Sequence, residues 1–94
     1  MWSYLYVGDL PTFVSVSALL TNSLDIIDSY TDADMMAEIQ IFLRVDATTG
    51  GFHFYFSPAA MQLGNIVGAQ PYRESLPALD ERELFLSGHS PHRF

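Results

Sequence analysis

The chain lacks two residue types, and each absence excludes a group of functions. There is no cysteine, so disulfide scaffolds, thiolate zinc sites and cysteine nucleophiles are excluded. There is also no lysine, and four arginines stand against eleven acidic residues, which gives a formal net charge of −7. Because nucleic-acid binding depends on lysine and arginine to neutralise phosphates, we expect no direct contact with nucleic acid. The charge balance fits a neutral or basic partner.

Signals for export and for membrane insertion are also missing from the sequence. No basic residue precedes Arg44, and Asp9 interrupts the apolar start, so a secretory signal is not predicted. The uncharged run 10–24 has fifteen residues, fewer than the roughly 20 apolar residues that a membrane span needs. A chain without cysteine suits a reducing compartment. We therefore expect a cytoplasmic protein that does not enter a membrane.

Size and composition predict one folded domain over residues 1–94. Of the 94 residues, 49% are apolar and 14% are aromatic, which is enough for one packed core in a chain too short for two. Neither an internal repeat nor a linker divides the chain. The tail 87–94 is rich in turn formers and has no periodicity, so we expect it to be mobile or only loosely docked.

A β-hairpin is the clearest predicted element. Apolar residues alternate with other residues through 38–46, and after a turn with two glycines the alternation resumes through 52–57. In the second strand Phe52, Phe54 and Phe56 share one face, which should pack on the core. The predicted fold is α+β: a small antiparallel sheet built on this central hairpin, with helices packed on one face.

Residues 12–29 show two competing patterns. Apolar residues recur at helical spacing from Phe13 to Ile27, whereas the shorter segment 14–18 alternates as a strand does. The longer pattern favours a helix over 12–29, and a partly extended segment is the alternative.

The remaining elements are shorter. A strand is predicted over 2–7, a helical turn over 32–37, and a helix over 58–67 that begins at the Ser57-Pro58 pair, since serine caps helices and proline suits their first position. Segment 83–87 fits either a helix or a terminal strand.

Acidic residues form the predicted partner-binding surface. The first 43 residues contain six acids and no basic residue, and on a helix positions 25, 28 and 32 share one face. The ridge is either a solvated face that keeps the protein soluble or a docking surface for a cationic protein. A proline-bounded loop adds an aromatic and a cation, although such a loop can also be a plain connector. The predicted partner-binding residues are Asp25, Asp28, Asp32, Asp34, Glu38, Tyr72 and Arg73.

No catalytic, metal or cofactor site is predicted. His89 and His92 lie in the tail without a nearby carboxylate, and a zinc site needs more ligands than this pair. The acidic segment 25–38 contains no glycine, unlike calcium-binding loops. His53 is interpreted as structural, because no serine, aspartate or glutamate in the hairpin indicated a catalytic dyad or triad.

Two functions rank above an enzyme, whose active site would have to be assembled from residues distant in the sequence. The first is a non-enzymatic acidic binding protein that blocks a basic protein partner such as a toxin or nuclease, in the manner of an immunity protein, a toxin–antitoxin inhibitor or an anti-defence inhibitor. The alternative is a small homodimeric subunit with an aromatic interface, or a pocket for a small ligand. Trp2, Tyr4 and Tyr6 alternate on the first strand; they are expected in the core, or at a dimer surface if that strand lies at a sheet edge.

Overall fold

The computed structural model describes residues 1–28, 38–62, 66–76 and 83–87. Its helices and strands follow in the order β1 (Ser3–Val7), α1 (Leu10–Asp28), β2 (Gln40–Val45), β3 (Phe52–Phe56), α2 (Pro58–Met61), β4 (Gln70–Pro71) and β5 (Glu83–Ser87). The predicted α+β fold class is confirmed.

The strands form one antiparallel sheet in the order β4-β1-β3-β2-β5. β1 and β2 run in the same direction, joined by α1, and β3 fills the space between them, which is a split βαβ arrangement. β2 and β3 pair from Ile41 opposite Phe56 to Val45 opposite Phe52. Both strands are shorter than the predicted 38–46 and 52–57.

The core lies between one face of the sheet and the helices. Alternate residues of β1, β2 and β3 point to this face, and the fully buried side chains there include Ile41, Phe54 and Phe56. α1 contributes Leu20 and Leu24, which are also fully buried. The prediction that the phenylalanine face of β3 packs on the core is confirmed.

α1 is a helix from its first turn, without the extended segment that was the alternative. It begins at Leu10, two residues before the predicted start. Asp9 caps it, because the Asp9 Oδ2 atom accepts a hydrogen bond from the Thr12 backbone N–H at 2.8 Å. Pro11 is tolerated because it lies in the first turn, where backbone N–H groups have no partner within the helix. The hydrogen bond from the Thr12 backbone, followed by that from its side chain, holds the pKa of Asp9 below its usual value.

α2 is much shorter than the predicted helix. Ser57 caps it as expected, accepting from the Ala60 backbone N–H at 3.2 Å. The helix ends at Met61, however, and residues 66–67 are not helical, so the prediction of a helix to Val67 is wrong. The helix ends in a tight turn, in which the Gln62 backbone N–H donates to the Ala59 carbonyl at 3.1 Å.

Other predicted elements have mixed outcomes. The first strand is observed one residue shorter than predicted, and segment 83–87 is a strand rather than a helix. The predicted helical turn 32–37 and the tail beyond Ser87 lie outside the described residues. Neither helix in the described part of the chain is long and apolar enough to cross a membrane.

Candidate functional site: the aromatic face of the sheet

The second face of the sheet, opposite the helices, is made largely of aromatic side chains. Antiparallel pairing places Tyr4, Tyr55 and Phe42 in one row across β1, β3 and β2, and Tyr6, His53 and Arg44 in the next row. Successive strand residues point to opposite faces, so these rows lie away from the core. We call this surface the aromatic face; it consists of Trp2, Tyr4, Tyr6, Phe42, Arg44, His53, Tyr55 and Tyr72.

Tyr55 is the buried centre of the aromatic face. Its ring centroid lies 5.5 Å from that of Tyr4 and 5.2 Å from that of Tyr72, and its hydroxyl accepts a hydrogen bond from the Arg44 Nε at 3.4 Å. This bond is the main cause that raises the pKa of Arg44. The aromatic face is therefore a packed layer of its own, with Arg44 fixed within it.

Tyr72, a predicted partner-binding residue, reaches the aromatic face from the loop after β4. Its backbone N–H donates to the Trp2 carbonyl at 2.8 Å, and its hydroxyl donates to the Ser75 carbonyl at 3.2 Å. These bonds hold the ring over Tyr4, with the centroids 5.9 Å apart. Arg73, the next predicted residue, is exposed.

His53 lies in the next row of the aromatic face and is almost fully buried. Its Nδ1 atom is 2.7 Å from the Tyr4 hydroxyl, and its Nε2 atom is 3.7 Å from the Asp46 Oδ2 atom. Because Nε2 faces a carboxylate, we assign the proton of the neutral ring to Nε2, so that Nδ1 accepts from Tyr4. Nε2 has no hydrogen-bond partner within the described residues.

The surroundings of His53 favour its neutral form. Burial, followed by the positive charge of Arg44, lowers the pKa of His53, and Asp46 opposes that shift. Burial also raises the pKa of Tyr4, with a further contribution from Tyr55. Both shifts keep the proton on the Tyr4 hydroxyl, so the pair is suited to holding the aromatic rings in place.

Asp46 is held by the turn between β2 and β3. Its Oδ1 atom accepts from the backbone N–H groups of Thr48 at 2.9 Å and Thr49 at 3.3 Å, and these bonds lower its pKa. Gly50 closes the turn with a φ of +74°, a conformation that favours glycine. This arrangement leaves Oδ2 directed toward His53.

Tyr6 is the most exposed ring of the aromatic face, at 48% of its surface. It lies over Gly51, where a Cβ atom would overlap the ring, and beside Gly8. Its centroid is 5.1 Å from that of His53. The glycines thus provide the space in which Tyr6 lies flat on the sheet.

The lowered pKa of His53 predicts a pH dependence of stability. The unfolded chain takes up the His53 proton near the ordinary pKa of 6.5 and the folded chain only at lower pH, so folding should lose stability as the pH falls below about 6.5. Urea unfolding between pH 8 and pH 5 measures this loss. His53→Gln should reduce the slope; an equal slope in both proteins would contradict the assigned cause.

The structure places the predicted acidic residues only in part. Asp25 on α1 and Glu38 before β2 are exposed, and Asp28 is the last residue of α1. Asp32 and Asp34 lie outside the described residues. The grouping of the five acids into one ridge stays a prediction.

Sequence reasoning missed the partners of His53. No acid was recognised beside it, yet Asp46 lies in the same hairpin and within 4 Å. The strand register could have predicted this contact, since Arg44 pairs with His53 and Asp46, two residues later, lies on the same face.

The expectation of a core position for the β1 aromatics is wrong. Tyr4 and Tyr6 lie on the second face of the sheet, in a strand that pairs with β4 at Ser3 and Tyr4.

Comparison with known proteins finds no match among family models, curated proteins or solved structures. Within the described ranges, no group of three or more histidine or acidic side chains could hold a metal ion. The aromatic face presents ring surfaces, tyrosine hydroxyls and the Arg44 guanidinium, with the Asp46 carboxylate beside His53.

Proposed function

We propose that this protein is a non-enzymatic, cytoplasmic binding protein whose aromatic face binds and blocks a basic protein partner. The observation that carries the proposal is the aromatic face itself, where Trp2, Arg44 and four tyrosines come together on one side of the sheet. Tryptophan, tyrosine and arginine are the residues that most often dominate binding energy at protein interfaces.

The geometry supports a preformed binding surface. Tyr72 and Arg44 are already fixed by hydrogen bonds, and Tyr4 is fixed by its bond to His53. Little side-chain conformational entropy would therefore be lost when a partner binds. Tyr6, half exposed at the rim of this layer, is the ring most able to gain contact area.

The net charge supports a basic partner. A chain with a net charge of −7 attracts a cationic protein over a distance and speeds the encounter. The aromatic face then supplies short-range contacts. Exposed carboxylates such as those of Asp25 and Glu38 supply the long-range electrostatic attraction. Small size, acidity and a rigid binding surface would together suit an immunity protein or an antitoxin that blocks a basic partner.

Truncation of Tyr6 tests the role of the aromatic face. With the partner recovered from the native host, Tyr6→Ala should weaken binding by about tenfold or more, or about 1.4 kcal/mol. Val67→Ala is the matched control, because Val67 is 86% exposed and lies outside this face. Titration calorimetry gives both affinities, and equal affinities for the two variants would overturn the proposal.

A charge-reversal variant separates the acidic ridge from the aromatic face. Replacing Asp25, Asp28 and Asp32 together by lysine should reduce the salt-sensitive part of binding, since screening acts on exposed charges. Tyr6→Ala should leave the salt dependence unchanged. Another outcome is that the native host yields no partner but only this protein, as a salt-resistant dimer. If Tyr6→Ala dissociates that dimer, the aromatic face is a homodimer interface.

A further inference from the structure

Tyr4 differs from the other tyrosines that the structure describes, because its hydroxyl meets a nitrogen base. The Tyr4 hydroxyl oxygen is 2.7 Å from the His53 Nδ1 atom, within the roughly 2.6–3.2 Å over which a base can take up a proton. The lowered pKa of His53 keeps its imidazole neutral at neutral pH. Nδ1 therefore directs a free lone pair toward the phenolic proton.

The other described hydroxyls of the aromatic face have weaker proton acceptors. The Tyr72 hydroxyl donates to the Ser75 carbonyl at 3.2 Å, and a carbonyl does not hold a proton near neutral pH. The Tyr55 hydroxyl accepts from the Arg44 Nε at 3.4 Å, and this guanidinium disfavours a further positive charge on the Tyr55 ring. Tyr6 is half exposed, and water is a weaker base than imidazole.

We propose that Tyr4 is a redox site, at which this chain gives one electron to a one-electron oxidant while His53 takes up the phenolic proton. The electron leaves the phenol ring, the O–H bond breaks, and the proton forms a new bond with Nδ1. The products are a neutral tyrosyl radical and an imidazolium, so no proton leaves the protein. One electron from a reductant such as ascorbate, together with return of that proton, restores the starting pair.

Proton transfer within the pair stabilises the oxidised state. A phenol that has lost an electron is a strong acid, and a positive charge kept on a ring among other rings would be poorly solvated. The charge passes instead to His53, whose Nε2 atom lies 3.7 Å from the Asp46 Oδ2 atom. Attraction between opposite charges stabilises the imidazolium there.

Neighbouring rings connect this pair with the protein surface. The ring centroid of Tyr55 lies 5.5 Å from that of Tyr4, and the half-exposed Tyr6 ring lies 5.1 Å from that of His53. Electron transfer slows steeply with distance, so adjacent rings exchange electrons readily. An electron vacancy formed on an exposed ring therefore moves to Tyr4, where the proton acceptor makes it most stable.

Photo-oxidation of the isolated protein tests this site without a binding partner, so its result is independent of the proposed function. A laser flash generates tris(bipyridine)ruthenium(III), a one-electron oxidant, and transient absorbance follows the tyrosyl radical. Tyr4→Phe keeps the ring but removes the hydroxyl, and should slow radical formation by about tenfold or more. Tyr72→Phe, the matched comparison, removes a hydroxyl bonded to a carbonyl and should slow it far less.

His53→Gln tests the base directly. Glutamine keeps a polar side chain of similar size, but its amide does not take up a proton, so radical formation should again slow by about tenfold or more. All three substitutions keep the formal net charge of −7, so encounter with the cationic oxidant is unchanged.

The pH dependence of the rate gives a readout that needs no variant. Protonated His53 cannot accept the phenolic proton, so the rate should fall below the ordinary histidine pKa of 6.5, and only at lower pH because burial and Arg44 lower the pKa of His53. The described titratable and charged groups that face His53 are Tyr4 and Tyr6 on β1, Arg44 on β2 and Asp46 in the turn.

This profile follows His53 itself. The raised pKa of Arg44 and the lowered pKa of Asp46 keep both groups charged between pH 8 and pH 5. Raised salt screens the change in net charge as other histidines titrate. His53→Gln, measured in the same way, should give a flatter profile.

Two results would overturn the inference. Equal rates of radical formation in Tyr4→Phe and Tyr72→Phe would assign the oxidation to another aromatic residue. A rate in the unaltered protein that stays constant between pH 8 and pH 5 would show that water, rather than His53, takes the proton. Far-ultraviolet circular dichroism checks that each variant is folded, and the profile of the unaltered protein decides the matter if a variant is not.

Discussion

Replacing Phe54 by alanine should lower the free energy of unfolding by about 3–5 kcal/mol, the usual cost of removing a buried phenylalanine ring. Phe54 is fully buried in the middle of β3, the central strand of the sheet. Its ring centroid lies 5.7 Å from that of Phe13 on α1 and 6.0 Å from that of Phe56. The substitution leaves a cavity between sheet and helix that neighbouring side chains fill only in part.

Urea denaturation monitored by circular dichroism measures this loss. The control is Val67→Ala, which removes an exposed side chain and should change stability by no more than about 0.5 kcal/mol. A small loss for Phe54→Ala, comparable to that of the control, would show that α1 does not pack on β3 as described.

Ser57→Ala should lower the free energy of unfolding by about 2–4 kcal/mol, because a buried hydroxyl with three backbone partners is removed. The Ser57 Oγ atom donates to the Glu38 carbonyl at 2.8 Å and accepts from the backbone N–H groups of Gln40 at 3.0 Å and Ala60 at 3.2 Å. One side chain thus caps α2 and ties it to the start of β2.

The matched control for this prediction is Ser15→Ala, which removes an exposed serine from α1. Its effect should be small, since alanine has the higher helix propensity. Equal stabilities of the two variants would mean that the Ser57 hydroxyl does not bridge the two elements.

Much of the fold could be predicted from local patterns. The period of two in β2 and β3 and the longer helical period of α1 are properties of the neighbouring residues alone. The errors arose where such patterns are weak. Because Asp9 caps α1, the helix begins two residues earlier in the chain than predicted. The helix after Ser57 ends at Met61 rather than Val67.

The candidate site was harder to predict, because its contacts join distant residues. Tyr4 and His53 are 49 positions apart, and their meeting depends on β3 pairing with β1 as well as with β2. No local pattern encodes that pairing. The proline-bounded loop predicts Tyr72 as a partner-binding residue, whereas its contact with Tyr55 follows from the bond between its backbone and Trp2.

The single tryptophan gives the chain an optical reporter of the docking of β1 on the sheet. Trp2 extends from the start of β1 over the sheet to Phe42 on β2, with ring centroids 5.6 Å apart. β1 pairs with β3 from Ser3 opposite Phe56 to Val7 opposite Phe52, so its docking closes a long loop and should follow the formation of α1 and the hairpin. A stopped-flow fluorescence trace would therefore follow the arrival of β1, while far-ultraviolet circular dichroism follows the local formation of α1 and the hairpin.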